Sequence, residues 1–237
     1  MAKCVLIGGG EVRKSRGYET GKIDEEIVRM TGKTKPNFLF VGLANSFADS
    51  YYDTMKDIYK GLGCECSYLK KKNIINNFDI VKNKINKADI IYVGGGDSIK
   101  LMDDLQQYGV DELFRNLRDD VVLVGMSAGA IMIAKQGYSD SLILRGVADD
   151  YSFVLGLDLI DISICPHYNK IDRKESIKKS LNNLDLKVFG LENGAALKIV
   201  NDKIEVITCL DDAKCYLCYW EDGKYIEEVD YGNDKMQ

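Results

Sequence analysis

Val121-Val122-Leu123-Val124-Gly125-Met126-Ser127-Ala128-Gly129-Ala130 is an apolar run that passes through a Gly-x-Ser-x-Gly turn into small residues. A continuous aliphatic run of this kind reads as a strand buried on both faces, and such strands belong to parallel sheets. The turn joins that strand to a helix. Glycines two residues before and after Ser127 let the chain pass close to itself, which exposes the serine hydroxyl at a strained corner. The Ala128 amide then opens the helix, where it can stabilise an oxyanion. A serine hydroxyl is a weak nucleophile at neutral pH unless a base takes its proton. The chain contains one histidine, His167, so a histidine base for Ser127 can only be that residue.

Outward from the turn, the first half alternates short apolar runs with helical periodicity. Runs over 4–7, 38–41, 66–69 and 90–93 join 121–124 as strands. The spacing predicts helices carrying Ile27, Val28 and Met30; Met55, Ile58, Tyr59 and Leu62; Ile80, Val81 and Ile85; and Ile99, Leu101, Met102 and Leu105. Two more are expected over about 111–118 and about 128–134, and Asp24, Asp79 and Ser98 are the expected caps. This is an α/β pattern: a parallel sheet flanked by helices, with sites beyond the carboxyl ends of its strands.

The second half reads differently. Residues 136–156 look irregular. A strand over 160–165 leads to Pro166-His167, and a charged helix over about 173–184 precedes a strand over 188–191. Four runs, over 195–200, 203–208, 214–220 and 224–229, read as a C-terminal β-meander, with Asn201-Asp202 and Glu221-Asp222-Gly223 as turns. No composition shift marks a linker, so residues 1–237 read as one domain.

The balance of 37 acidic and 32 basic residues gives a net charge of −5 without an arginine-rich arm, which argues against nucleic acid. Lys70-Lys71-Lys72 reads as a solvated loop. No stretch approaches the roughly 20 apolar residues of a membrane span, and no signal-peptide pattern is present, so the expected location is cytoplasmic. Seven cysteines, an odd number, suit reduced thiols. Cys215-Tyr216-Leu217-Cys218 has redox or zinc spacing, but it lies in a strand-like run without a second cysteine pair. Neither metal nor cofactor is expected. A homodimer is compatible with all of this.

His167 follows a strand and a proline forty residues after Ser127. Gly8-Gly9-Gly10 and Gly94-Gly95-Gly96 both follow strands, yet neither extends to a dinucleotide fingerprint or a P-loop. The second triglycine fits better as an oxyanion donor beside the serine turn. Glu192, at a strand end, could orient His167; Asp140, Asp149, Asp150, Asp158 and Asp161 compete for that part. The order serine, histidine, acid separates this arrangement from the α/β-hydrolases.

Ile91-Tyr92-Val93-Gly94-Gly95-Gly96-Asp97-Ser98, Gly125-Met126-Ser127-Ala128-Gly129-Ala130, Cys165-Pro166-His167-Tyr168 and Gly190-Leu191-Glu192-Asn193-Gly194-Ala195-Ala196-Leu197 together resemble the dipeptidase E group of serine peptidases, with cyanophycinase more distant. The resemblance runs from Leu6-Ile7-Gly8-Gly9-Gly10-Glu11 to the C-terminal strands. It implies a flavodoxin-like fold similar to class I glutamine amidotransferases. It also implies hydrolysis of amide bonds in small peptides through an acyl-enzyme. In that reading Ser127 is nucleophile, His167 base and Glu192 acid, and the Gly96 and Ala128 amides form the oxyanion hole. Lys170 and Arg173 fall where the family's anion-recognising residues are expected. Asp97 stands where the family commonly has asparagine, which brings a carboxylate toward the substrate. The alternatives are another amide or ester hydrolase on the same triad, or a non-catalytic module binding a small anion.

Overall fold

The computed structural model describes residues 3–12 and 18–229. Its first half carries the expected alternation: β1 (Lys3–Ile7), α1 (Gly21–Met30), β2 (Asn37–Val41), α2 (Ala48–Gly61), β3 (Glu65–Leu69), α3 (Lys71–Asn76), α4 (Phe78–Lys87), β4 (Ile90–Val93), α5 (Ser98–Gln107), α6 (Asp111–Arg115), β5 (Val122–Met126) and α7 (Ala128–Ile133). Strands β1, β5, β4, β2 and β3 lie side by side and parallel. Successive strand residues face opposite sides, and here both sides are covered. Leu39, Val41, Ile91 and Val93 enter one core, while Phe38, Phe40, Ile90 and Tyr92 enter the other. Phe38 stacks on Tyr59 of α2 with ring centroids 3.8 Å apart, which ties that helix to the sheet.

The second half contains β6 (Ala134–Ser139), α8 (Ser141–Leu144), β7 (Ser152–Leu155), β8 (Ile160–Pro166), α9 (Ile171–Leu181), β9 (Val188–Leu191), β10 (Ala195–Val200), β11 (Lys203–Thr208), β12 (Cys215–Glu221) and β13 (Lys224–Val229). Three features depart from the sequence reading. Lys71 and Lys72, expected in a solvated loop, lie in α3. The stretch expected to be irregular holds β6 and β7, an antiparallel pair around α8. The C-terminal strands form as expected, but as two hairpins on different sheets. β10 and β11 extend the first sheet antiparallel to β1, giving the order β11-β10-β1-β5-β4-β2-β3. β12 and β13 join β9, β8, β6 and β7 in a second sheet.

Helix starts shift slightly from the expected caps. Asn77 accepts from the Ile80 amide at 3.2 Å, and Asp97 accepts from the Lys100 amide at 3.0 Å. Asp24 lies inside α1, fully buried, and accepts from the Thr20, Tyr18 and Tyr59 hydroxyls. No disulfide joins any of the seven cysteines. Cys215 and Cys218 enter different cores from opposite faces of β12, so their spacing does not bring the thiols together.

Candidate active site

Ser127 sits between β5 and α7 with φ of 51°. A left-handed backbone at a non-glycine residue costs on the order of 1–3 kcal/mol and is held only where its surroundings enforce it. Here they do. A Cβ on Gly125 would lie 2.3 Å from the Gly129 carbonyl, and one on Gly129 would lie 2.1 Å from Val93 O. The two glycines therefore let the strand, the helix and the neighbouring strand β4 close around the serine.

His167 follows β8 of the other sheet, also with positive φ, 54°. The end of β1 joins the two arms. Ile7 O accepts from the Ser127 amide at 3.0 Å, Gly8 O from the His167 amide at 3.0 Å, and Gly9 O from the Gly194 amide at 2.9 Å. Three consecutive carbonyls thus index the serine, the histidine and the loop after β9. The result is a relay: His167 Nε2 lies 2.9 Å from Ser127 Oγ, and Nδ1 lies 2.7 Å from Asn193 Oδ1. Gly9 makes room for it, since a Cβ there would lie 2.4 Å from both the imidazole and Asn193 Oδ1. The first triglycine is thus a clearance beside the imidazole.

Burial lowers the His167 pKa to about 4. The positive charges of Arg173 and Lys170 push in the same direction, and the Asn193 hydrogen bond and the Asp140 carboxylate oppose them. The imidazole is therefore neutral through the physiological range, the state a general base needs.

Glu192, the expected orienting acid, faces away from the imidazole. Its Oε2 accepts from the Lys214 amide at 3.0 Å. Neighbouring residues at a strand end point to opposite sides, so the place beside Nδ1 falls to Asn193. The competing aspartates are engaged elsewhere or lie at the surface. Asp140 pairs with Arg173 at 2.9 Å, Asp150 accepts from Ser176 Oγ at 2.6 Å, Asp161 pairs with Lys135, and Asp149 and Asp158 are exposed.

The three expected substrate contacts do not line the cleft that holds Ser127 and His167. Asp97 caps α5 and pairs with Arg145 at 2.8 Å. Arg173 is 1% exposed and packs behind the histidine. Its Nη1 donates to Pro166 O at 3.0 Å, and its guanidinium covers the Tyr151 ring at 4.5 Å. Lys170 is exposed, and its amide donates to His167 O at 3.0 Å. The physical reason is that α9 starts immediately after the histidine turn and packs its buried face on the second sheet.

The cleft has a volume of about 640 Å³. Ser127, His167, Gly95 and Gly96 line one part of it, and Gly9 to Val12 another. The remaining wall comes from Asn45, Phe47, Ser50, Tyr51 and Thr54, with Met126. The sequence marks that wall only by the position of this segment after a strand of the parallel sheet. Asn45 Nδ2 donates to Gly95 O at 2.9 Å, and its buried Oδ1 has no hydrogen-bond partner among the described residues. Gly96 lies on the cleft, while Ala128 is buried directly behind the serine. Among the described residues no group of three or more histidine, cysteine, aspartate and glutamate side chains is gathered to hold a metal ion. No helix among them is long and apolar enough to cross a membrane.

A family model described as peptidase family S51 matches residues 4–207. An uncharacterized peptidase of Bacillus subtilis, YgaJ, is 27% identical over 220 residues, covering 91% of each chain. Peptidase E of Streptomyces coelicolor is 29% identical over 130 residues, covering 51% of this chain and 52% of its own. Among solved structures, a peptidase from an acI-B1 actinobacterium superposes with a TM-score of 0.71 at 20% identity, covering 100% of this chain and 97% of that one. A putative peptidase E from Listeria monocytogenes gives 0.66 at 20% identity, covering 88% and 98%. These superpositions carry the mixed α/β, two-sheet fold.

Proposed function

This chain belongs to peptidase family S51 and is a serine-type peptidase, and we propose that it hydrolyses small peptides through Ser127 and His167. The observation that carries the reading is the 2.9 Å contact between Ser127 Oγ and His167 Nε2 on a cleft of about 640 Å³. Ligand clefts span roughly 300–1,000 Å³, and this one suits a few residues of extended chain better than a folded protein.

In this reading Ser127 Oγ forms a bond to the substrate carbonyl carbon while its proton passes to His167 Nε2. The oxyanion takes hydrogen bonds from the Gly96 and Ala128 amides. Collapse breaks the C–N bond, and the proton on Nε2 leaves with the amine. Water then attacks the acyl carbon while its proton passes to Nε2; collapse breaks the ester C–O bond, and that proton returns to Ser127 Oγ as the acid leaves. Seven cysteines outside any disulfide suit a reducing compartment, in keeping with a cytoplasmic enzyme.

The test is fluorophosphonate labelling, with turnover measured over a dipeptide library. Labelling at Ser127, and turnover lost in Ser127→Ala, are expected. Labelling at another residue, or full activity in Ser127→Ala, would overturn the assignment.

A further inference from the structure

We infer that Asn193, a neutral amide, is the residue that positions His167, in the place an acid fills in a serine–histidine–acid triad. The inference rests on the serine peptidase reading for its kinetic consequences and on geometry for the rest. Asn193 Oδ1 is 2.7 Å from Nδ1, while the Glu192 carboxylate is held by the Lys214 amide. Gly9 supplies the clearance for the imidazole and the Asn193 amide together. The loop is indexed by the Gly194 backbone N–H on Gly9 O, and the Asn193 backbone N–H donates to Asn169 Oδ1 at 3.3 Å.

The chemistry selects one amide orientation. Oδ1 is an acceptor only, so toward it Nδ1 must carry the ring proton. Nε2 is then left with its lone pair facing Ser127 Oγ, the tautomer that can take the serine proton. The reverse orientation would place an N–H of the amide on Nδ1 and the ring proton on Nε2, and the base would be blocked.

A neutral partner also has an electrostatic consequence. An acid on Nδ1 would stabilise the imidazolium; an amide does so only as a dipole. Among the described residues, the charged groups around the ring are Arg173 and Lys170 from the α9 side, Asp140 after β6, Glu192 beside Asn193, and Glu11 farther along the cleft. Two of them, Arg173 and Lys170, disfavour the imidazolium, and Asp140 favours it. The site is thus built to keep its base neutral well into acid.

The chain has one histidine, so ¹⁵N-histidine NMR reads its tautomer and titration without assignment. The wild type should show the Nδ1–H tautomer and a midpoint below the ordinary value of about 6.5. Asn193→Asp should keep turnover, raise that midpoint by about one unit or more, and move the acid limb of kcat/KM with it. Asn193→Ala should lose on the order of a hundredfold in kcat with KM little changed. Glu192→Gln should stay within about threefold, since its contact lies off the imidazole. An Nε2–H tautomer in the wild type, an unmoved midpoint in Asn193→Asp, or a crippled Glu192→Gln beside a near-normal Asn193→Ala would overturn the inference. Absence of fluorophosphonate labelling would remove the peptidase reading alone, because the tautomer and midpoint still decide what Asn193 does.

Discussion

The serine arm and the histidine arm of the site are built by different physics. Ser127 leaves β5, a strand buried along its whole length between parallel neighbours. Its strained turn is set by close backbone contacts at Gly125 and Gly129. His167 leaves β8 and is held by polar contacts: the Gly8 carbonyl, Asn193, and behind it the buried Arg173 with Asp140. The first arm is fixed by packing, which is local and redundant. The second depends on a few specific partners from different segments. Substitutions should therefore remove chemistry without disturbing the fold on the serine side, and disturb both on the histidine side.

The largest expected effect is purely chemical. Ser127→Ala should lower kcat by at least about 10⁴-fold, with a melting temperature within a few degrees of wild type. Unfolding of this variant at ordinary temperature would show that the serine arm is not held by packing as described.

The next effect lies on the other arm. Arg173 is buried, and removing it leaves Asp140 without its cation and Pro166 O without a donor. Asp140 is itself 33% exposed, so the cost is that of the lost packing and the unpaired carbonyl, about 1–3 kcal/mol, which denaturant unfolding of Arg173→Ala should register. A selective rise in KM for acidic dipeptides at wild-type stability would instead return this residue to the substrate.

Gly9→Ala tests the junction of the arms. A Cβ there must displace the imidazole or the Asn193 amide. A misplacement of about 1 Å can cost on the order of 10²-fold, so kcat should fall by about that much while Ser127 stays in place. Wild-type turnover in Gly9→Ala would mean that the clearance is not needed.

This contrast also explains what could be read in advance. Four of the five strands of the parallel sheet are largely apolar runs, and each strand lies within one or two residues of its run. The serine turn shares that legibility because glycine spacing and a buried strand are sequence features. β6 and β7 were hidden because Lys135, Gln136, Gly137 and Ser139 break any apolar run and β7 is a four-residue strand on the sheet edge. The final hairpins were visible as hairpins, since turn residues are local. Their division between two sheets depends on the crossing at 209–214, where no periodic signal exists. Glu192 and Asn193 illustrate the finest limit. The sequence brings a polar pair to the end of β9, but which one faces the imidazole depends on strand phase, and a shift of one residue exchanges them.

The smallest effect separates the arms by pH. The folded His167 has its pKa lowered to about 4, from an ordinary 6.5. Between those values the unfolded chain binds a proton that the folded chain refuses, so stability rises with pH across this window and is lost as pH falls through it. From pH 7 to pH 5 this single group should remove about 2 kcal/mol of unfolding free energy. Among the described residues the serine arm has no comparable titrating partner at the site, so the effect should vanish in His167→Gln and persist in Ser127→Ala. Denaturant midpoints at pH 7 and pH 5 for the three proteins provide the measurement. Parallel losses in wild type and His167→Gln would show that carboxylates elsewhere, rather than this imidazole, set the acid response.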